Sequence, residues 1–431
     1  MTDPALTTRP ELLPLPSLRL GALPEGEAGC DLLVLGAGPA GAACAQTAAL
    51  AGWRVWMVDA HTFPREKTCG DGLVPDTHAA LRELGVLDAV LARARRVPAA
   101  HCVAPSGRAV DVPGELAVLP RRELDTLVCG AALQAGAQLL APVRFTALLR
   151  DAQGRVNGAV VSGDGLSREI RARWVVLATG ASAGPLVAAG VCERRSPSAM
   201  ALRGYVRHPA LAQELKHLHF LWHPALQGGY GWIFPGPDGV LNIGAGVLDA
   251  RSEFGDEGGA RPSRRSPNLR ELFKIYCEID PVARRLMAEG ESLGELKGAP
   301  LRCDLTGARW AEPGLLVAGD AVGATYQFTG EGIGKALETG RCAALAITDP
   351  AAADDHAVQA RYTAELRARL PRFALYRKAA SFNRHPWLLS LVVWRARRSP
   401  RLVARLADVL GERRLPGSLL SWRGLRAMLL G

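Results

Sequence analysis

The feature that most constrains the fold is a glycine-rich segment at 31–41, which reads Asp-Leu-Leu-Val-Leu-Gly-Ala-Gly-Pro-Ala-Gly. A small-residue helix, a second apolar strand and then Asp59 follow it. This order predicts a βαβ unit that binds a dinucleotide. Gly36 permits the tight turn, Gly38 lets a pyrophosphate approach the helix N-terminus, and Gly41 lets the helix pack closely on the strand. Asp59 is expected to accept hydrogen bonds from a ribose.

The length of 431 residues exceeds what one hydrophobic core usually holds, so two domains or one domain with an inserted region are expected. No apolar run reaches the ~18 residues of a membrane span. The nine cysteines are scattered and form no CxxC pair, and the first 29 residues do not resemble a signal peptide. These features favour a cytoplasmic protein.

The basic charge is concentrated at the C-terminal end. From residue 361 onward there are sixteen Arg or Lys and three acidic residues, whereas the preceding part has 36 basic and 39 acidic residues. Helically spaced apolar residues at 388–394 alternate with arginines such as Arg397 and Arg401. Two interpretations remain open: a solvated basic helix face, or attachment to an anionic membrane surface. No nucleic-acid partner is predicted.

A Gly-rich, charged loop follows the second strand and contains Lys67-Thr-Cys69-Gly70. It is expected at the carboxyl end of the sheet, where ligands of open α/β sheets bind. For Cys69 the alternative is a half-buried thiol without a chemical role. The segment that starts at Leu119 is predicted to open a helix that runs to about Ala135, and residues 76–97 also have helical periodicity.

Strands of a second, mainly antiparallel sheet are predicted over 199–248. Period-two alternation places Tyr230, Trp232 and Phe234 on one face, and a hairpin turn is expected at 235–239. Three aromatic side chains on one face suit an apolar chain or ring. The alternative is an ordinary sheet core.

His217, His219 and His223 are candidate metal ligands. The first two share a face on a strand, but no cysteine or paired carboxylate near them in sequence completes a set. The sequence therefore predicts no metal site.

Two further segments end strands with glycines. A strand at 174–178 leads into Ala178-Thr179-Gly180, and a strand at 314–318 leads into Gly319-Asp320. After the second of these, a glycine-rich loop opens another helix, which allows close backbone approach to a ligand.

The ordered motifs GxGxxG, KxCG, YxWxFP and Gly319-Asp320 resemble the geranylgeranyl reductase family of FAD-dependent oxidoreductases, which is related to flavin-dependent aromatic hydroxylases and halogenases. The resemblance covers residues 31 to about 345. It implies an α/β fold with a FAD-binding Rossmann-like domain of the GR2, para-hydroxybenzoate-hydroxylase-like type. An inserted antiparallel-sheet substrate domain and a helical C-terminal tail complete the expected fold.

On this basis we predict an irregular N-terminal extension at 1–29 and a basic helical region at 351–431. The FAD-binding domain is expected to be discontinuous, at 30–100, 115–198 and 299–350. The substrate-binding sheet domain is expected at 101–114 and 199–298.

The resemblance also implies the site residues. Arg121 matches the flavin-contacting arginine of an R-x-x-[FL]-D pattern, with Asp125 at its proper offset, although an exposed arginine at a helix start is the alternative. The expected cofactor-binding residues are Gly36, Gly38, Pro39, Ala40, Gly41, Asp59, Ala60, Lys67, Cys69, Gly70, Arg121, Ala178, Thr179, Gly180, Gly319, Asp320, Gly330, Gly332 and Ile333. The expected substrate-binding residues are Tyr230, Trp232, Phe234 and Phe328, and the expected catalytic residues are Cys69, Tyr230 and Trp232.

The implied activity is hydrogenation of carbon–carbon double bonds in an isoprenoid or similar apolar substrate, with hydride from reduced FAD. Thr179-Gly180 replaces the Asp-Gly pair of the hydroxylases, and no arginine follows before Arg194, which argues against direct nicotinamide binding. Electrons are expected from a donor protein or from weakly bound NAD(P)H. An anionic surface of the inner membrane is the expected site of any peripheral attachment.

The alternative activity is that of a flavin-dependent monooxygenase or halogenase acting on an aromatic or carrier-bound compound. Tyr230-x-Trp232-x-Phe234-Pro235 has the spacing of the halogenase WxWxIP motif, with Tyr for the first Trp and Phe for Ile. However, Cys-Gly-Asp-Gly at 69–72 replaces the Gly-Glu-Ser type of sequence found in many halogenases. A non-enzymatic flavin-binding protein is a third alternative.

Overall fold

The glycine-rich segment forms the expected βαβ unit in the computed structural model, which describes residues 10–23, 28–226, 228–248, 268–384 and 386–414. Strand β1 (Ala28–Leu35) leads into helix α1 (Pro39–Leu50), and β2 (Val55–Val58) pairs in parallel with β1. Gly36 has φ +104°, and a Cβ at Gly41 would lie 1.7 Å from the Gly36 carbonyl oxygen. Only glycine at position 41 therefore lets α1 begin directly against the turn.

The remaining elements of the described residues follow in chain order. The strands are β3 (Gly72–Leu73), β4 (Arg95–Val103), β5 (Ala109–Val118), β6 (Gln138–Leu140), β7 (Arg144–Arg150), β8 (Val156–Gly163), β9 (Leu166–Leu177), β10 (Ala199–Arg207), β11 (Leu218–Leu221), β12 (Gly229–Pro235), β13 (Val240–Val247), β14 (Glu291–Ser292), β15 (Lys297–Leu301), β16 (Ala311–Glu312) and β17 (Leu315–Val317). The helices are α2 (Pro75–Glu83), α3 (Leu87–Arg93), α4 (Arg121–Gln134), α5 (Ala183–Ala188), α6 (Pro209–Glu214), α7 (Leu269–Ile279), α8 (Pro281–Glu289), α9 (Ile333–Ile347), α10 (Asp355–Arg384), α11 (Pro386–Ala396) and α12 (Pro400–Leu410).

The first sheet has the order β16-β17-β9-β1-β2-β6, and its strands from β17 to β6 are parallel. The hairpin of β7 and β8 extends it by pairing β8 with β9 in antiparallel fashion. Residues 32–35 of β1 are fully buried; α1 packs against β1 and β2, and α9 packs against α1. Such a covered parallel sheet is expected of an α/β domain that binds its ligand at the carboxyl ends of the strands.

The second sheet has the order β14-β10-β13-β12-β11-β4-β5-β3, with β15 also paired to β10. Its pairings are antiparallel except for β11 with β4, which confirms the mainly antiparallel sheet. On one face, helix α7 packs Leu272, Phe273 and Tyr276 into a core of their own. The other face carries the aromatic side chains of β11 and β12.

Residues 76–97 differ from the helix that their periodicity predicts. Two helices, α2 and α3, occupy the first part, and Gly85 with φ +69° separates them. From Arg95 onward the chain is strand β4, because backbone pairing with β5 replaces the helical hydrogen bonds.

The C-terminal helices attach to both sheets. Tyr362 of α10 donates a hydrogen bond to the Val317 carbonyl at 2.6 Å, and α12 packs against β5. Among the described residues, no helix combines the length and the apolar character needed to cross a membrane. The predicted N-terminal extension falls outside the described residues at 1–9 and 24–27, and the basic C-terminal region does so at 415–431.

Candidate functional site

The predicted motifs face one cavity of about 820 Å³. It extends from the glycine turn after β1, past β12, to the C-terminal helices. Of the predicted residues, its lining includes Gly36, Gly38, Pro39, Ala40, Asp59, Ala60, Lys67, Cys69, Gly70, Arg121, Ala178, Thr179, Gly180, Tyr230, Trp232, Phe234, Gly319, Asp320, Phe328, Gly330, Gly332 and Ile333. Gly41 is the exception, because it lies behind the turn against the Gly36 backbone.

Asp59 lies at the glycine turn. Its Oδ2 accepts a hydrogen bond from the Ala37 backbone N–H at 3.0 Å and from Arg65 Nη2 at 3.2 Å. Arg65 Nη1 donates to Asp125 Oδ2 at 3.0 Å. Arg65, which sequence reasoning missed, therefore places a largely buried positive charge beside the N-terminus of α1.

Arg121 is buried at the start of α4 and pairs with Asp125 through two hydrogen bonds, of 2.6 and 2.9 Å. Burial alone would raise the pKa of Asp125, but the charges of Arg121 and Arg65 outweigh it and lower that pKa. Asp125 is consequently ionised at neutral pH. The structure therefore shows an anchored arginine on the cavity lining rather than an exposed one.

The Lys67–Gly72 loop lies directly on the aromatic residues of β12. A Cβ at Gly70 would lie 3.2 Å from the Phe234 ring and 3.4 Å from Trp232 Nε1, so a larger residue would displace the loop. Burial, with the neighbouring Arg121, lowers the pKa of Lys67. Burial raises the pKa of Cys69, while Arg121 acts in the opposite direction.

Asp71 joins this loop to the second sheet. Its Oδ2 accepts hydrogen bonds from the Tyr205 hydroxyl at 2.5 Å and from Asn242 Nδ2 at 2.8 Å. Asn242 Nδ2 also donates to the Cys69 carbonyl at 2.8 Å, and Asn242 Oδ1 accepts from Trp232 Nε1 at 3.0 Å. Burial raises the pKa of Asp71 to about 6, although these hydrogen bonds lower it. The network fixes the Cys69 backbone relative to Trp232.

Five aromatic side chains form what we call the aromatic wall. Tyr230, Trp232 and Phe234 lie on β12, Phe220 lies on β11, and Trp222 directly follows β11. They line the same cavity. The Phe220 and Phe234 ring centroids are 5.0 Å apart, and those of Tyr230 and Trp232 are 6.0 Å apart. Sequence reasoning found the β12 members by alternation and missed the β11 members.

The loop before α9 faces the wall from the other side. Asp320 Oδ1 accepts a hydrogen bond from Thr325 Oγ1 at 2.7 Å, and the Tyr230 hydroxyl donates to the Thr329 carbonyl. Glu331 Oε1 accepts the Gly334 backbone N–H at 2.9 Å, and burial raises the pKa of Glu331 well above its usual range. Burial thus favours the protonated form of Glu331, while its hydrogen bond to the Gly334 N–H and the charge of Lys335 favour the ionised form.

The far end of the cavity is lined by the C-terminal helices. Its apolar lining there consists of Leu389, Val392, Leu406, Val409 and Leu410. The sequence predicts only solvent or a membrane surface around this region. Part of its apolar face instead contacts the cavity.

The residues at the glycine turn fit a dinucleotide. Thr179 Oγ1 and Arg65 Nε are buried and have no hydrogen-bond partner among the described residues. No side chain caps α1, whose N-cap residue is Gly38. Free N–H groups and a buried guanidinium are the donors that a pyrophosphate requires.

A FAD binding domain model matches residues 29–203. The menaquinone reductase of Mycolicibacterium smegmatis is 32% identical over 395 residues, which cover 89% of this chain and 91% of that protein. A digeranylgeranylglycerophospholipid reductase of Methanopyrus kandleri is 31% identical over 329 residues, covering 75% of this chain and 78% of that protein.

Two solved structures show the fold. A geranylgeranyl bacteriochlorophyll reductase-like protein from Thermoplasma acidophilum has a TM-score of 0.67 at 21% identity, covering 94% of this chain and 96% of its own. A flavin-dependent brominase has a TM-score of 0.72 at 17% identity, covering 93% and 98%. Identities this low establish a shared fold and not a shared activity.

Proposed function

Because the chain belongs to the geranylgeranyl reductase family of FAD-dependent oxidoreductases, we propose that it saturates carbon–carbon double bonds in the isoprenoid chain of an apolar substrate. The relatives are named for menaquinone and for digeranylgeranylglycerophospholipid, and both of these molecules carry isoprenoid chains. The brominase likeness concerns the fold alone, so it supports no second activity.

The observation that carries this proposal is the continuity of the cavity. The region next to the aromatic wall continues to the apolar side chains Leu389, Val392, Leu406 and Val409. Burying an isoprenoid chain there contributes about 25 cal/mol per Å² of apolar surface. A small polar ring would leave the lining of this far end without a partner.

The cofactor contacts expected from the resemblance remain part of this proposal. Gly38 and Thr179 would hold the pyrophosphate end together with Arg65, which the resemblance did not include, and Lys67, Gly70 and Asp320 would hold the flavin end. Bound FAD, once reduced, supplies a hydride to one alkene carbon. The protein must then provide a proton to the other carbon.

We assign this proton to the Cys69 thiol. Burial raises the pKa of Cys69 and also that of Tyr230, so both groups hold their proton at neutral pH. The Tyr230 hydroxyl is already bonded to the Thr329 carbonyl. Arg121 favours the thiolate that Cys69 leaves after donation, and no positive group is among the influences on Tyr230. Trp232 then acts as a positioning residue through Asn242.

The test uses the FAD-loaded full chain, photoreduced without oxygen and then mixed with menaquinone that has an unsaturated prenyl chain. Flavin reoxidation is expected, and the chain fragment of the product gains the mass of two hydrogen atoms. Menaquinone with a fully saturated chain is the control, because it permits ring reduction only. Adding NADPH in place of light shows whether a nicotinamide nucleotide reduces the flavin directly.

Cys69→Ala should slow chain reduction at least about tenfold, while flavin photoreduction is unchanged. Cys69→Ser, which retains a proton-bearing group, should recover part of the rate. Reoxidation by oxygen alone, with an oxygenated or halogenated product, contradicts the proposed function. An unchanged rate in Cys69→Ala contradicts only the assignment of the proton donor.

We further propose that α11 and α12 dock on an anionic membrane surface. Trp387 is 64% exposed, and Arg397, Arg398, Arg401 and Arg405 are also exposed on these helices. Since the same helices line the far end of the cavity, this placement would bring the cavity next to a lipid substrate. Co-sedimentation with liposomes tests it. Binding that does not depend on anionic lipid contradicts it.

A further inference from the structure

Three histidines meet on the face of the second sheet opposite the aromatic wall. His101 lies on β4 and pairs in register with His219 on β11, and His217 directly precedes β11. One ring nitrogen from each lies within 4.8 Å of the others. The ring centroid of His101 lies 4.5 Å from that of His217 and 5.5 Å from that of His219.

Two of these rings are held by carboxylates. His101 Nδ1 lies 2.7 Å from Asp111 Oδ1, and His219 Nε2 lies 2.8 Å from Asp280 Oδ2. Asp280 is itself fixed, because its Oδ1 accepts the Val282 N–H at 2.8 Å as the N-cap of α8. Metal-binding histidines commonly donate one ring N–H to a carboxylate, which orients the other nitrogen towards the ion.

We propose that His101, His217 and His219 bind one Zn²⁺ ion, with water in the fourth position. Zinc takes imidazole nitrogens at about 2.0–2.1 Å in a tetrahedral arrangement. That geometry places the ligand nitrogens about 3.3 Å from one another, so the rings must approach one another from their present spacing of up to 4.8 Å when the ion binds. The His101 side chain is 27% exposed and provides access for the ion, whereas that of His219 is 6% exposed.

The bound ion would connect β4 to β11 and, through Asp280, to the start of α8. Strand β11 places Phe220 on the cavity side and His219 on the opposite side, because side chains alternate along a strand. Zinc is therefore expected to stiffen the sheet behind the aromatic wall. Its role is structural and independent of the proposed reductase activity.

The position of His101 in the chain explains why the sequence predicts no metal site. His101 is more than a hundred residues away from His217 and His219 along the chain. Parallel pairing of β4 with β11, which no local pattern indicates, brings the rings together.

The test uses metal-free, FAD-loaded full chain and competition with a chromophoric zinc indicator. One Zn²⁺ per chain is expected, with a dissociation constant in or below the micromolar range. Co²⁺ in place of zinc should give the intense visible absorption of tetrahedral coordination. His217→Ala should weaken zinc binding at least about a hundredfold, and Asp280→Asn about tenfold or more.

His356→Ala, at an exposed histidine in the first turn of α10, is the matched control and should bind zinc as the parent does. His217→Gln provides a second variant if His217→Ala does not fold, which its flavin content will show. Zinc binding that these His217 substitutions leave unchanged overturns the proposal. A millimolar dissociation constant for the parent overturns it as well.

Discussion

Asp71 allows a quantitative prediction of how stability depends on pH. The residue is fully buried, and burial raises its pKa from the ordinary 3.8 to about 6. One pKa unit corresponds to about 1.4 kcal/mol, so the shift corresponds to about 3 kcal/mol of stability. The Asp71→Asn variant should lack this contribution to the pH dependence of stability, because the amide does not titrate.

The direction of the effect follows from where the proton is bound. Below pH 3.8 the carboxyl is protonated in both the folded and the unfolded chain. Between 3.8 and about 6 only the folded chain keeps the proton, so the free energy of unfolding falls as pH rises. Above that range both states are ionised and the loss is complete. The stability of the parent relative to Asp71→Asn should thus fall by about 3 kcal/mol from acid to neutral pH.

Urea unfolding of the FAD-loaded protein, followed by circular dichroism between about pH 4 and about pH 7.5, captures about 2.4 kcal/mol of this difference, because the unfolded carboxyl is already partly ionised at pH 4. Asp71 Oδ1 also accepts the Arg121 backbone N–H at 3.2 Å. In the variant the amide oxygen can still accept hydrogen bonds from Tyr205 and Asn242, while the amide NH2 faces that N–H. This last contact costs the same at every pH because the amide does not titrate. Asp88→Asn, at an exposed aspartate of α3, gives the baseline for losing a carboxylate. A parent-minus-variant difference that stays constant or increases with pH refutes the reasoning.

Three other substitutions test the packing of the FAD-binding domain. Gly41→Ala should abolish flavin retention, because its Cβ would lie 1.7 Å from the Gly36 carbonyl oxygen; purified variant with a normal flavin-to-protein absorbance ratio would contradict this. Lys335→Met should cost about 3–5 kcal/mol in urea unfolding, since Nζ lies 3.0–3.2 Å from three carboxylates, and a loss below about 1 kcal/mol would count against it. Tyr362→Phe should cost about 1–2 kcal/mol through the unpaired Val317 carbonyl, and unchanged stability would argue that water replaces the hydroxyl.

Local patterns were sufficient for the βαβ unit and for the β12 part of the aromatic wall. The glycine spacing before α1 acts within one turn, and the alternation of Tyr230, Trp232 and Phe234 follows directly from strand geometry. Periodicity failed at 76–97, where the apolar spacing of α2 and α3 continues in register across Gly85. The change to β4 depends on pairing with β5, a contact that helical periodicity does not report.

The polar contacts of the site could not be predicted because they join distant parts of the chain. Asp71 meets Tyr205 and Asn242, which lie 134 and 171 residues further along. Arg65 was overlooked although it lies six residues after Asp59, because an arginine in a charged loop has many possible partners. The burial of a carboxylate such as that of Asp71 can be recognised only when the strands packed around it are known.

The C-terminal helices limit which side chains could attach the protein to a membrane surface. Leu389, Val392, Leu406 and Val409 line the cavity, so these side chains are not available to enter a bilayer. Any membrane affinity of α11 and α12 must then come mainly from exposed arginines, at about 1 kcal/mol each near an anionic surface.

Such binding should be sensitive to salt, because the screening length falls from about 10 Å at 0.1 M to about 3 Å at 1 M. Liposome co-sedimentation at low salt, repeated after salt is added, distinguishes this from insertion of apolar side chains, which salt does not weaken. Trp387→Ala, at the exposed aromatic residue of α11, should reduce binding less than Arg397→Glu combined with Arg401→Glu. Binding that persists at high salt and is lost in Trp387→Ala would show that apolar insertion, and not charge, holds the protein at the membrane.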